Sequence, residues 1–106
     1  MVIPCKDDLF AYKNGSFVHT WDEFGYDITD LSYYGEIRDN EGNKLAEFTF
    51  IKGNEQIIAQ LTKEVMEDMP SGTHNYDIKQ VSLNGLSQDI IIIGTFSVRD
   101  GVTQLP

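Results

Sequence analysis

The stretch Gln88-Asp89-Ile90-Ile91-Ile92-Ile93-Gly94-Thr95-Phe96-Ser97-Val98-Arg99 reads as the last and longest strand of the chain, and the fold class follows from it. A half-exposed strand alternates apolar with polar residues, so four consecutive isoleucines ask for cover on both faces. With Ile90, Ile92, Phe96 and Val98 toward a core, Ile91 and Ile93 point outward. Gly94 marks a bend or the close approach of a neighbour. Upstream, Asn84-Gly85 has the residues of a two-residue type I′ turn, which pairs this strand with His74–Leu83. In that strand Tyr76 and Ile78 share one face while Val81 and Leu83 have the other parity, which predicts a bulge near Lys79-Gln80.

Outward from this hairpin, the same period recurs. Ser16–Trp21 sets Phe17, His19 and Trp21 on one face, and Tyr33–Arg38 sets Tyr33 and Ile37 opposite Glu36 and Arg38. The turn Asp39-Asn40-Glu41-Gly42-Asn43 leads into Lys44–Ile51, where Ala46, Phe48 and Phe50 share a face, and Gln56–Thr62 aligns Ile57, Ala59 and Leu61. Thr62 caps a helix of one or two turns, with Glu64 at its positive end and Pro70 stopping it. Short strands between turn signals predict an all-β sandwich or barrel. No linker or repeat divides the 106 residues, so one domain spans 1–106, with 1–8 expected as a flexible or docking N-terminal tail.

Composition narrows the function classes. Seventeen acidic against eight basic residues give a net charge of -9, a poor match for a bare phosphate backbone or an anionic membrane surface. The run Ile90–Ile93 is far too short to span a bilayer, and Met1–Asp8 lacks the charged and apolar regions of a secretory signal. The lone Cys5 excludes an intramolecular disulfide and a cysteine zinc cluster. His19 and His74 lie far apart without a third ligand at metal spacing, and Asp22, Asp27 and Asp30 read as turn formers. No nucleophile elbow, phosphate loop or dinucleotide fingerprint occurs. The expectation is a protein that is not an enzyme and needs no cofactor. Tyr33, Tyr34, Trp21 and Phe24 could form a sugar-stacking platform, but aromatic residues of a small domain are first read as core.

The breaks in alternation point to contact surfaces. Leu45, Ile58, Ile91 and Ile93 sit at positions that should be polar, so the helix, a loop or another chain is expected to cover them. These four residues form the predicted interface.

The order of motifs resembles a family of small immunoglobulin-like β-sandwich proteins of tailed bacteriophages, related to the N-terminal domain of the upper baseplate protein. The matching elements are Tyr26-Asp27-Ile28-Thr29-Asp30-Leu31, Gly35–Gly42, Ile57–Thr62 with the short helix, Met69-Pro70-Ser71-Gly72, Tyr76-Asp77-Ile78, Gly94–Val98 and Val102-Thr103. The resemblance implies an immunoglobulin-like antiparallel β-sandwich with one short helix. It also implies a structural subunit of the virion (baseplate or tail, neck, or head decoration), made in the host cytoplasm. Its partners would be other virion proteins or copies of itself in a homo-oligomer or larger assembly, without direct nucleic-acid or membrane contact. Two other classes stay open: an acidic, DNA-mimicking inhibitor of a host protein, which net -9 fits, and a carbohydrate-binding module.

Overall fold

The computed structural model describes residues 5–13, 15–22, 28–53 and 55–100. Its elements, in chain order, are β1 (Cys5–Lys6), β2 (Leu9–Tyr12), β3 (Phe17–Trp21), β4 (Ser32–Arg38), β5 (Lys44–Glu47), β6 (Thr49–Gly53), β7 (Gln56–Leu61), α1 (Lys63–Asp68), β8 (Gly72–Val81) and β9 (Gln88–Arg99). They form two sheets, one of six strands in the order β1-β9-β8-β4-β5 with β2 also on β9, and one of three in the order β3-β7-β6. This is the all-β, two-layer fold with one short helix that the strand pattern predicts.

The inner faces meet over a core in which Phe96, Ile37, Ile57, Ile78 and Met66 are fully buried. Aromatic rings join the layers: Phe17 meets Phe96 edge-on at 5.0 Å between centroids, and Phe48 meets Phe96 at 5.9 Å. The predicted strand Lys44–Ile51 is in fact two. The chain leaves the large sheet after Glu47 and joins the small one at Thr49, with Phe48 buried between them and its N–H donating to the Gly35 carbonyl at 2.9 Å. Parity survives the crossing because both strands keep the same side toward the core, so Ala46, Phe48 and Phe50 share a face as expected.

Helix α1 carries the chain back from β7 to β8. The Thr62 Oγ1 accepts from Val65 N–H at 3.3 Å, and Met66 and Met69 plug the end of the sandwich. The Pro70 carbonyl then meets Nε2 of the buried His74 at 2.8 Å, so that histidine is tied by a backbone contact inside the fold.

Three expectations need correction. First, of the two alternatives for the N-terminal segment, Cys5–Asp8 is docked and not flexible, and it docks as a strand rather than as a tail. Cys5 pairs with Ile92 and Lys6 with Ile93, both in parallel, and β2 continues in the same register with Leu9 on Phe96. The N-terminal segment is an edge strand on β9, so the large sheet is mixed rather than wholly antiparallel. Residues 1–4 lie outside the described residues, as do Asn14, Phe24, Tyr26, Asp27, Asn54, Val102 and Thr103.

Second, the bulge is real but lies on the other strand. Ile78 pairs with Ile92 and Lys79 with Ile90, which leaves Ile91 as the extra residue. The parity of β9 flips there, so Ile90 turns outward, 41 % exposed, and Ile91 packs on the core. A second bulge sits in β5, where Ile37 pairs with Ala46 and Arg38 with Lys44, leaving Leu45 extra and packed on the core.

Third, Asn84-Gly85 is not a type I′ turn. That turn needs positive φ at both residues, whereas only Gly85 has it, at 75°. Ser82 and Ser87 close a four-residue loop, with Gly85 N–H donating to the Ser82 carbonyl at 2.9 Å and Asn84 Oδ1 accepting from Leu86 N–H at 3.0 Å. Leu83, read as strand, lies exposed in this loop. Gly85→Val is expected to lower stability by about 1 kcal/mol or more, because a β-branched residue resists that backbone conformation. Urea unfolding of the variant checks this, and wild-type stability would refute it.

Candidate assembly faces

The polar groups of the N-terminal strand converge on one point. Asp7 stands where the parallel ladder meets Gly94, and its N–H donates to the Ile93 carbonyl at 2.9 Å. Its own carbonyl accepts from the Tyr76 hydroxyl at 2.5 Å, and its carboxylate accepts from Trp21 Nε1 at 2.8 Å, with His19 Nε2 at 3.5 Å. Burial raises the Tyr76 phenol well above its ordinary range, so it stays a donor. Asp8 accepts from Thr95 N–H at 3.0 Å and from Thr95 Oγ1 at 3.1 Å, and the backbone donor above all holds its carboxyl below the usual range. Each of these groups is matched by a protein partner. The cluster fastens the N-terminal strand to the sandwich.

The outer face of the large sheet is the first open surface. Its cross-strand rows run Lys6, Ile93, Asp77, Glu36 and, one step along, Asp8, Thr95, Asn75, Arg38. Next to the first row lie Ile90, Lys79 and Tyr34. Two shallow clefts of about 410 and 490 Å³ share Glu36 and Asp77, so the face is a continuous trough. Arg38 holds Glu36 at 2.8 Å, and this contact chiefly depresses the Glu36 carboxyl pKa. Ile93 is 40 % exposed, and Phe10, Tyr12 and Tyr34 are exposed on the same side.

The outer face of the small sheet is the second. Alternation places Val18 and Thr20 of β3, Gln56, Ile58 and Gln60 of β7, and Thr49, Ile51 and Gly53 of β6 there. None of them carries a charge, in a chain that is 24 % charged. Val18 is 59 % exposed and Ile51 48 %, with Ile58 half-buried between Ile51 and Thr20.

No protein-family model and no curated protein matches the chain. Among solved structures it is similar to part of a family 123 glycoside hydrolase from Clostridium perfringens, studied for glycolipid glycan hydrolysis. The TM-score is 0.59 at 9 % identity, covering 94 % of this chain and 24 % of that one. The chain thus spans about a quarter of that hydrolase, and the likeness is one of fold. CopC from Methylosinus trichosporium OB3b aligns with a TM-score of 0.42 at 10 % identity, over 90 % of each chain.

The four predicted interface residues do not form one patch. Ile93 lies on the outer face of the large sheet and Ile58 on that of the small sheet, on opposite sides of the sandwich. Leu45 and Ile91 are the two bulge residues, and they broke the alternation because the backbone gains a residue there. The sugar platform is also dispersed. Tyr33 is buried with its hydroxyl on Gln80, Trp21 is tied to Asp7, Tyr34 alone faces outward, and Phe24 is outside the described residues. The uncharged face escaped the sequence reading, although its signal was there: every outward residue of three strands is neutral.

Proposed function

We propose that the chain is a non-enzymatic assembly module, the structural virion part that its resemblance to phage sandwich proteins implies, and that it docks partners by sheet-face contact. The uncharged outer face of the small sheet carries this reading. Depletion of charge is the compositional mark of an interface core, and a face built of Val18, Ile51, Ile58, threonines and glutamines costs less to desolvate than a charged one. Burying one such aliphatic side chain contributes roughly 1.5–3 kcal/mol.

The test uses Val18→Asp with Ile51→Asp. Both side chains point to solvent, so the melting temperature of the isolated protein should change little. In cells producing phage particles, the wild-type protein should co-purify with them and the variant should be lost. A wild-type protein absent from particles would end the virion reading, and a variant retained at wild-type level would remove this face from it.

Carbohydrate binding is the second reading, supported by Phe10, Tyr12 and Tyr34 exposed on the large sheet. It differs in its readout: a glycan would change tyrosine emission, while Trp21, held by Asp7, would report nothing.

A further inference from the structure

We propose that two copies of this chain pack face to face through the outer face of the large sheet, about a twofold axis that runs along the strands between β8 and β9. The proposal concerns the opposite side of the sandwich from the face that carries the assembly reading, so either can fail alone.

The charge pattern argues for this arrangement. Across the sheet, one row begins with Lys6 and ends with Glu36, while the neighbouring row begins with Asp8 and ends with Arg38. The polarity of the two rows is therefore opposite. A twofold axis along the strands reverses every row onto itself and exchanges the β1 and β4 positions. It sets Lys6 of each copy over Glu36 of the other, and Arg38 over Asp8. A twofold axis across the strands and lying on a row would instead set Lys6 on Lys6 and Glu36 on Glu36, while one lying between the two rows would set Lys6 over Asp8 and Glu36 over Arg38. The face is thus self-complementary, as an isologous interface requires, and the axis along the strands is preferred because it alone gathers Ile90 and Ile93 of both copies beside the axis.

Two further observations agree. Five of the eight cationic side chains (Lys6, Arg38, Lys44, Lys79 and Arg99) lie on this face in a chain of net charge -9. Among the described residues, Lys6 and Lys79 make no ion pair within 4 Å, so they remain available to a partner. Beside the axis, Ile90 of each copy would lie over the Lys79 stem of the other and Ile93 over its Asp77, so that the isoleucines of the two copies meet diagonally across the axis. The axis pairs four strand positions at about 4.8 Å, and the central pair, β9 over β8, shares about 10 residues at about 3.3 Å each, so the overlap spans on the order of 19 by 33 Å, somewhat under the ~800 Å² that each partner gives a standard interface.

Sedimentation equilibrium of the full chain, from micromolar to millimolar concentration at low salt, tests this. Wild type should dimerise and should weaken as salt is added. Lys6→Glu and Glu36→Lys should each weaken the dimer by at least about tenfold. Glu36→Lys is the sharper variant. It lowers the net negative charge, so general repulsion alone would strengthen association. An equimolar mixture of the two variants should recover dimerisation as a mixed species, because one contact is then restored with its charges exchanged and the other is the wild-type pair. Circular dichroism melting of each variant reports the fold. A wild type that stays monomeric, a dimer indifferent to both substitutions, or a mixture that fails to recover association would each overturn the proposal. A monomeric wild type would leave the assembly reading standing on its own face.

Discussion

Gly94→Ala is expected to lower stability by about 2–4 kcal/mol and to release the N-terminal strand. A Cβ at this position would overlap the Asp7 carbonyl, a backbone atom that cannot swing aside, and would crowd the Tyr76 ring. The strand would have to leave, and with it the Tyr76 and Trp21 hydrogen bonds to Asp7 and the Asp7 N–H bond to Ile93. A buried Tyr76 hydroxyl would then lack its acceptor, which adds the desolvation cost of an unpaired polar group. Three measurements should move together: the urea midpoint falls, hydrogen exchange at the Asp7 and Leu9 amides rises, and Trp21 emission changes as its indole loses the carboxylate. A Gly94→Ala variant with wild-type midpoint and unchanged exchange would mean that Asp7 is not seated against β9.

Phe96→Ala is expected to cost about 3–5 kcal/mol, the range for deleting a buried ring. Phe96 is fully buried and contacts Phe17 of the small sheet and Phe48 at the crossover between sheets. The cavity would open where the layers meet, and the rings around it are held by strand backbone on both sides, so little collapse can fill it. Substituting Phe10, which is exposed on the same edge with Arg99 over its ring at 5.3 Å, should cost far less. Chemical denaturation of Phe96→Ala and Phe10→Ala side by side checks the contrast. Equal losses would place the core elsewhere.

The class of fold and most of the core were legible strand by strand. Alternation is a property of one strand, so Phe17, Ile37, Ile57, Ala59, Leu61, Tyr76, Ile78, Ile92, Phe96 and Val98 could be read as buried, and each is. The helix cap at Thr62 was legible for the same reason, since its hydrogen bond is made three residues away. Features that depend on a second strand had to wait for the packed sheets. Leu45 and Ile91 looked like exposed apolar residues because a bulge is defined by the partner it slips against, and no local pattern counts the residues on that partner. Cys5–Asp8 read as a tail because a parallel edge pairing joins residues 87 positions apart, a register that neither segment encodes alone. Gly94 announced a close neighbour, but only the packed sheet identifies it as the Asp7 carbonyl. The candidate faces divide in the same way. The neutrality of the small sheet's outer residues was written along each strand, whereas the opposed rows of Lys6, Glu36, Asp8 and Arg38 exist only once strand order lays β1, β9, β8 and β4 side by side.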